Sequence, residues 1–268
     1  MKREDEKSGG VSPAGFGQRE RDSLLQSRMR DLAERARREG IALTAFLTPA
    51  EQTAARKTLA GSGLEITAMG GVPEAERCRL ALYTDWVSQE ELEADRHLCA
   101  VRFSYWREDR LGHRDILGAL MALGIKRETV GEIIAPGPPP AFLIAMPSIA
   151  PFLCAEFQKA GRVVLHPEIV KLEEVESPEK KVKTLSATVA SLRLDAVVSE
   201  SYRLSRAKAA DAIRAGKVSL NWEECENPSK EVREGDVLTL RGEGRAKLKE
   251  VGGNSRKGRI RIVIERPQ

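Results

Sequence analysis

The chain has 268 residues, 41% hydrophobic and 31% charged, with a formal net charge of +4, which suggests two or three globular domains with ample apolar residues for their cores. The longest apolar run, residues 141–155, is broken by Pro147 and Pro151 and falls short of the roughly 20 residues a membrane-spanning helix needs. Residues 181–268 carry 19 Lys+Arg against 12 Asp+Glu while residues 1–180 carry 25 against 28, so one end favours a polyanion and a generally sticky protein is excluded, with a solvated basic face as the bland alternative.

Residues 1–18 are polar and charged, read as a disordered tail, and lack the apolar run of a secretory leader. Residues 22–39 place Leu24, Leu25, Met29, Leu32 and Ala36 near helical spacing, and Gly40 stops the helix. Thr48-Pro49 followed by Glu51 predicts a second helix, with Thr48 as N-cap, Pro49 at the first helical position and Glu51 closing a capping box. Residues 64–69 and 79–83 read as strands around a Gly-Gly-Val-Pro turn, which completes a small α/β domain over 19–95.

From His97 the pattern changes. Strands are expected at 97–106, 129–135, 142–146 and 162–170, with helices at 116–123 and 148–160. The order β-α-β-β-α-β over 96–172 is that of a ferredoxin-like, RNA-recognition-like unit. The aromatic strand signature of RNA-recognition domains is absent. Tyr105 and Trp106 offer rings for base stacking, although such rings more often cover a sheet edge or a domain interface. Residues 173–184, charged and containing Pro178, read as a linker.

The last 83 residues hold Arg193-Leu194-Asp195, Ser205-Arg206-Ala207-Lys208, Gly216-Lys217-Val218 with Asn221, and Gly235-Asp236. Residues 192–199 and 205–215 form a helix pair joined by a polar turn, with Ser205 as N-cap and Gly216 as the stop. At about 100° per residue, Arg206 and Arg214 lie roughly 80° apart and face one side. Lys208 falls off that stripe near the helix start. Strands follow at 217–221, 237–240, 246–251 and 259–265, the last two around a basic loop with Arg256 and Lys257 that makes a second clamp. Arg206, Lys208, Arg214 and Lys217 are the expected phosphate contacts, giving salt-dependent binding that follows RNA shape more than base sequence. Asp195 repels phosphate and is assigned a structural role; Arg193 and Asp195 have a structural alternative in pairing with each other or their neighbours.

These segments resemble the small RNA-binding domain of ribosomal protein S-four, an αL-like fold expected over 185–268. The resemblance adds Arg193, Ser205 and Asn221 to the RNA-binding set. The fold class expected for the whole chain is therefore α+β. The resemblance upstream is more specific. Phe46-Leu47-Thr48-Pro49-Ala50-Glu51-Gln52, the arginine-rich strand Glu76-Arg77-Cys78-Arg79-Leu80-Ala81-Leu82-Tyr83, and Gly112-His113-Arg114-Asp115 running on to Glu128 and then Val130-Gly131-Glu132-Ile133 are similar to the bacterial YlmH family, also called RqcP. His113 and Arg114 precede a helix and are candidates for RNA contact, with a cap or core role for His113 as the alternative.

That resemblance implies a non-enzymatic, cytoplasmic factor of ribosome-associated quality control. It would bind large-subunit rRNA and peptidyl-tRNA, stabilising the latter in the P site while an RqcH-type tailing factor directs C-terminal alanine addition. A monomer is the default, and no membrane partner, cofactor or metal is expected. Cys78, Cys99, Cys154 and Cys225 form no C-x-x-C pair and do not cluster with the three histidines, which argues against zinc and against a disulfide framework. The alternatives are an RNA-modifying enzyme of the pseudouridine synthase or methyltransferase type, and a ribosomal subunit recycling factor. Arg193-Leu194-Asp195 superficially matches a catalytic Arg-Leu-Asp, but it falls in the first helix of the binding module. No glycine-rich turn of a methyltransferase follows a strand.

Overall fold

The structure is a computed structural model and describes residues 14–176, 182–255 and 258–267. It divides into two compact units, residues 1–177 and residues 178–268.

In the first unit, α1 (Ala14–Glu39) leads into β1 (Ile41–Leu43), α2 (Pro49–Leu59), β2 (Glu65–Met69) and β3 (Arg79–Tyr83). The strands form an antiparallel sheet in the order β1-β3-β2. Met29, Ala33 and Ala36 of α1 and Ala55 and Leu59 of α2 are buried against Leu80 and Leu82 of that sheet. The start of α2 is the predicted capping box: the Thr48 hydroxyl accepts from the Glu51 N–H at 3.3 Å, and the Glu51 carboxylate accepts from the Thr48 N–H at 2.7 Å. The first helix starts at Ala14, eight residues before the expected Asp22. Gly15 and Gly17 disfavour helix by roughly 1 kcal/mol each, which is why that turn reads as tail. The rest of the expected tail lies outside the described residues.

The chain continues through α3 (Ala94–His97), β4 (Cys99–Ser104), α4 (His113–Ala122), β5 (Val130–Ile134), β6 (Ala141–Ala145), α5 (Ala150–Glu156), β7 (Lys159–Ala160), β8 (Val163–Val164) and β9 (His166–Val170). The four-stranded sheet runs β5-β6-β4-β9, antiparallel throughout, which is the strand order of the split βαββαβ unit. Two expectations shift. The short turn α3 holds His97 outside the strand. The second helix ends at Glu156, and Gly161, at φ +59°, turns a small hairpin of β7 and β8 instead of closing the helix.

One face of this sheet packs on α4 and α5, with Val101, Phe103 and Leu143 against Ile116, Leu120, Leu153 and Phe157. Its other face does not stay fully open. Ala100, Ile134, Phe142 and Ile144 share a core with Phe46, Met69 and Ala81 of the preceding segment. This core crosses the boundary expected near residue 95. RNA-recognition domains stack bases on that sheet face; here its Ala100, Phe142 and Ile144 end is buried, while Arg102, Ser104, His166 and Glu168 leave the other end open.

Three arginines brace the shared core. Arg79 donates to the carbonyls of Thr44 (2.7 Å) and His97 (2.8 Å). Arg77 donates to those of Phe46 and Arg127, and Arg127 to those of Val130 and Gly131. Burial lowers the pKa of all three guanidinium groups, that of Arg127 to about 10. The arginine-rich strand is thus internal bracing and not an RNA surface. Gly131 completes the contact: a Cβ there would stand 2.5 Å from the Phe46 ring. Gly131→Ala is therefore expected to destabilise the first unit by about 1–3 kcal/mol through overpacking, read as a lower urea midpoint; an unchanged midpoint would show that Phe46 yields freely.

The second unit comprises β10 (Val182–Val189), α6 (Leu194–Tyr202), α7 (Arg206–Arg214), β11 (Val218–Leu220), β12 (Glu223–Glu224), β13 (Val237–Leu240), β14 (Gly244–Asn254) and β15 (Ile260–Pro267). Its sheet runs β10-β15-β14-β13-β11-β12. The first strand pairs with the last over eight residues, from Val182↔Pro267 to Val189↔Ile260, so the two ends of the unit are laced together. β10 begins inside the expected linker. Buried Leu194, Val197, Val198, Ala209 and Ile213 of the helix pair pack on Leu238, Leu248, Ile262 and Ile264 of the sheet.

Candidate nucleic-acid interface

The helix pair is organised by one carboxylate. Asp195, in the first turn of α6, is 5% exposed. It accepts from Arg193 at 2.9 and 3.2 Å and from Arg206 at 3.3 Å. Arg193 is the N-cap of α6 and Arg206 the first residue of α7, so the carboxylate ties the two helix starts together. Burial pushes its pKa up, but the hydrogen bonds from Arg193 and Arg206 outweigh that and hold it below the ordinary carboxylate range. The hydrogen bond to Asp195 also raises the pKa of Arg193. The arginine side chains stay 40% and 51% exposed, leaving one net positive charge at the surface, with guanidinium edges in fixed positions suited to phosphate.

The loop after β12 closes over this site. The Leu194 N–H donates to the Lys230 carbonyl at 2.8 Å and the Asp195 N–H to the Pro228 carbonyl at 3.0 Å. Those carbonyls satisfy the α6 start internally, and the backbone of the exposed Lys230 is brought against Leu194, next to Arg193 in sequence. Sequence reasoning missed Lys230, because nothing in the local pattern of residues 227–232 says that the loop folds back onto a helix 35 residues earlier.

The other expected contacts separate into groups. Arg214 is exposed and paired with Asp211 at 3.2 Å. Lys217 is exposed just before β11, and Lys208 is exposed on α7, about 160° around the helix from Arg206; neither has an ion-pair partner among the described residues. The Ser205 hydroxyl accepts from the Lys208 N–H at 3.3 Å, which makes it a helix cap. Both ends of the Asn221 amide are engaged internally: the nitrogen donates to Asp236 at 2.8 Å, and the oxygen accepts from the Val237 N–H at 2.9 Å. Asn221 and Trp222, at φ +49° and +66°, form the two-residue turn between β11 and β12, where positive φ at both positions suits the sheet twist. Asn221 therefore reads as a turn residue. Arg256 and Lys257 lie outside the described residues.

In the first unit the Tyr105 hydroxyl donates to the Gly137 carbonyl at 3.0 Å and the ring is 8% exposed, whereas Trp106 is 73% exposed. His113 and Arg114 are exposed in the first turn of α4, whose capping contact runs from the Gly112 N–H to Asp115 at 2.8 Å. Among the described residues no group of three His, Cys, Asp or Glu side chains is placed to hold a metal ion, and no helix is long and apolar enough to cross a membrane.

A helix pair presenting arginines beside a twisted antiparallel sheet defines an RNA-binding module of the S4 class, and residues 192–238 match the family model "S4 domain". Residues 95–177 match "Putative RNA-binding domain in YlmH" and residues 25–86 match "YlmH, N-terminal". The chain is 34% identical over 224 residues to the Bacillus subtilis (strain 168) ribosome-associated protein quality control protein P2, covering 84% of this chain and 86% of that protein. A solved structure, cell division protein ylmH from Streptococcus pneumoniae, is 16% identical, with a TM-score of 0.47 over 64% of this chain and 100% of that one. The chain belongs to the YlmH family.

Asp195→Asn tests whether arginine placement or bare charge matters. The substitution adds one positive charge, so a charge-only interface would bind RNA more tightly. If Asp195 positions the arginines, affinity falls instead, with a stability loss of about 1–3 kcal/mol. Because the folded-state pKa of Asp195 is depressed, its contribution is present above its unfolded value, near 3.9, and is lost as pH falls through the lower folded value. The stability gap between wild type and variant should therefore close in acid unfolding experiments below about pH 4.

Proposed function

We propose that the chain is an RNA-binding factor of ribosome-associated quality control. In this reading it binds stalled large ribosomal subunits and stabilises P-site peptidyl-tRNA while an RqcH-type factor directs the addition of C-terminal alanines. The exposed guanidinium and ammonium groups of Arg193, Arg206, Arg214, Lys217 and Lys230 contact phosphate, and Asp195 fixes the first two. The observation that carries the ribosomal part is the similarity along 84% of the chain to a protein whose name places it in quality control. The geometry by itself speaks for a phosphate-binding face.

The test is sedimentation of tagged protein from lysate, with the co-migrating RNA and proteins identified. Co-migration with large subunits that carry peptidyl-tRNA is expected, and Arg206→Glu with Lys217→Glu should move the protein to the top of the gradient while it remains folded, its thermal midpoint lowered by the lost Asp195–Arg206 contact. Wild-type protein at the top, or bound to mature tRNA alone, would sink the proposal.

A further inference from the structure

Most of the net positive charge of the second unit lies outside the part that matches the S4 model. Residues 192–238, the part that matches the S4 model, hold eight Lys+Arg against nine Asp+Glu. Residues 244–267, which are β14, β15 and their connection, hold eight against two. Most of the cationic excess of this end of the chain is therefore carried by a hairpin outside the recognised module.

Strand alternation says where that charge points. Ala246, Leu248, Ile262 and Ile264 are buried in the core beneath α6 and α7, so Arg261, Val263 and Glu265 face the other side of the sheet. Directly opposed residues share a face: Lys247 and Thr184 oppose Glu265, and Thr188 opposes Arg261. Lys247 and Arg261 are both exposed on this helix-free face. They are offset by four residues along the strands, about 13 Å.

The face is shaped as well as charged. Register shifts in β14 at Leu248/Glu250 and Val251/Asn254 bend the strand. A trough of about 570 Å³ lies there, its lining including Ser186, Thr188, Gly252, Gly253, Arg261 and Glu250, the one carboxylate in it. Several nearby cations are already engaged: Arg259 with the Thr188 carbonyl, Arg266 with the Ser201 and Glu243 carbonyls, and Lys249 with Glu265 at 3.3 Å. Arg261 and Lys247 have no hydrogen-bond or ion-pair partner among the described residues. Hydroxyls, bare glycine backbone and unengaged cations suit a phosphodiester chain, whereas protein interfaces centre on apolar and aromatic anchors.

We propose that this face is a second RNA-contacting surface, in which an RNA strand runs along the trough with Arg261 and Lys247 on its phosphates and the Ser186 and Thr188 hydroxyls as hydrogen-bond partners. The proposal rests on the RNA-binding reading above. The test titrates the full chain with a fluorescent RNA stem–loop bearing a single-stranded tail, across a series of KCl concentrations. Lys247→Gln with Arg261→Gln should weaken binding about tenfold and lower the salt slope by about two, one unit or slightly less per lost phosphate contact. Lys247→Arg with Arg261→Lys should keep the wild-type slope; a loss there equal to that of the glutamine pair would mean a structural effect and overturn the proposal. An unchanged affinity and slope for the glutamine pair, with Arg206→Gln and Lys217→Gln still lowering both, would overturn the second surface and leave the RNA-binding reading standing. No saturable binding by the wild type would overturn both.

Discussion

A buried carboxylate cannot stand alone. Asp195 sits at 5% exposure, where an unpaired charge is strongly destabilising, so the helix pair must supply cations within hydrogen-bond distance. It supplies two, one from each helix start, which links α6 and α7 at those ends above the apolar core they share. The same constraint sets the chemistry of the surface. An arginine held by a carboxylate has lost part of its rotamer freedom before RNA arrives, so less entropy is lost when it meets phosphate. The cost is one unit of positive charge, and the module trades field strength for geometry.

The first unit shows how little a strand order says about a binding face. Its four-stranded sheet has the β5-β6-β4-β9 arrangement shared with RNA-recognition domains, yet part of the face those domains offer to bases is occupied by Phe46, Met69 and Ala81. Fold and site are separate questions. In this unit Trp106, His113 and Arg114 are exposed on a loop and a helix start, outside the covered part of the sheet.

Much of this was legible in the sequence because it is locally encoded. The Thr48–Glu51 capping box, the alternation of the middle strands and the Ser205 cap each depend on residues within one turn of each other. What was not legible depends on distant partners. β10 alternates small and polar residues, Leu185, Ala187 and Val189 among Thr and Ser, and becomes a strand only because β15 lies beside it. The helical turn at Ala14 carries two glycines and reads as tail. Arg77, Arg79 and Arg127 look like surface cations by type, but carbonyls up to 50 residues away make them internal braces. Asn221 matched an RNA-binding pattern, while its amide closes a turn against Asp236 and Val237. Lys230 gave no signal, since its backbone contact with Leu194 comes from a loop closing on a remote helix.

The division of charge within the second unit has a consequence for how such a protein would hold a large RNA. The segment that matches the S4 model is close to electrically balanced and carries its cations at defined positions, whereas the β14–β15 hairpin holds eight Lys+Arg against two Asp+Glu. Counterion release scales with the number of phosphates neutralised, so on the proposed reading the hairpin would contribute affinity and salt sensitivity, and the tethered arginines registry. Each surface alone engages few phosphates and releases readily. Joined on one rigid sheet they act at high effective concentration toward a single folded RNA that reaches both, and only such an RNA gains from the pair. On the proposed reading, selectivity for structured RNA would need no base readout, because two weak sites at a fixed separation would supply it.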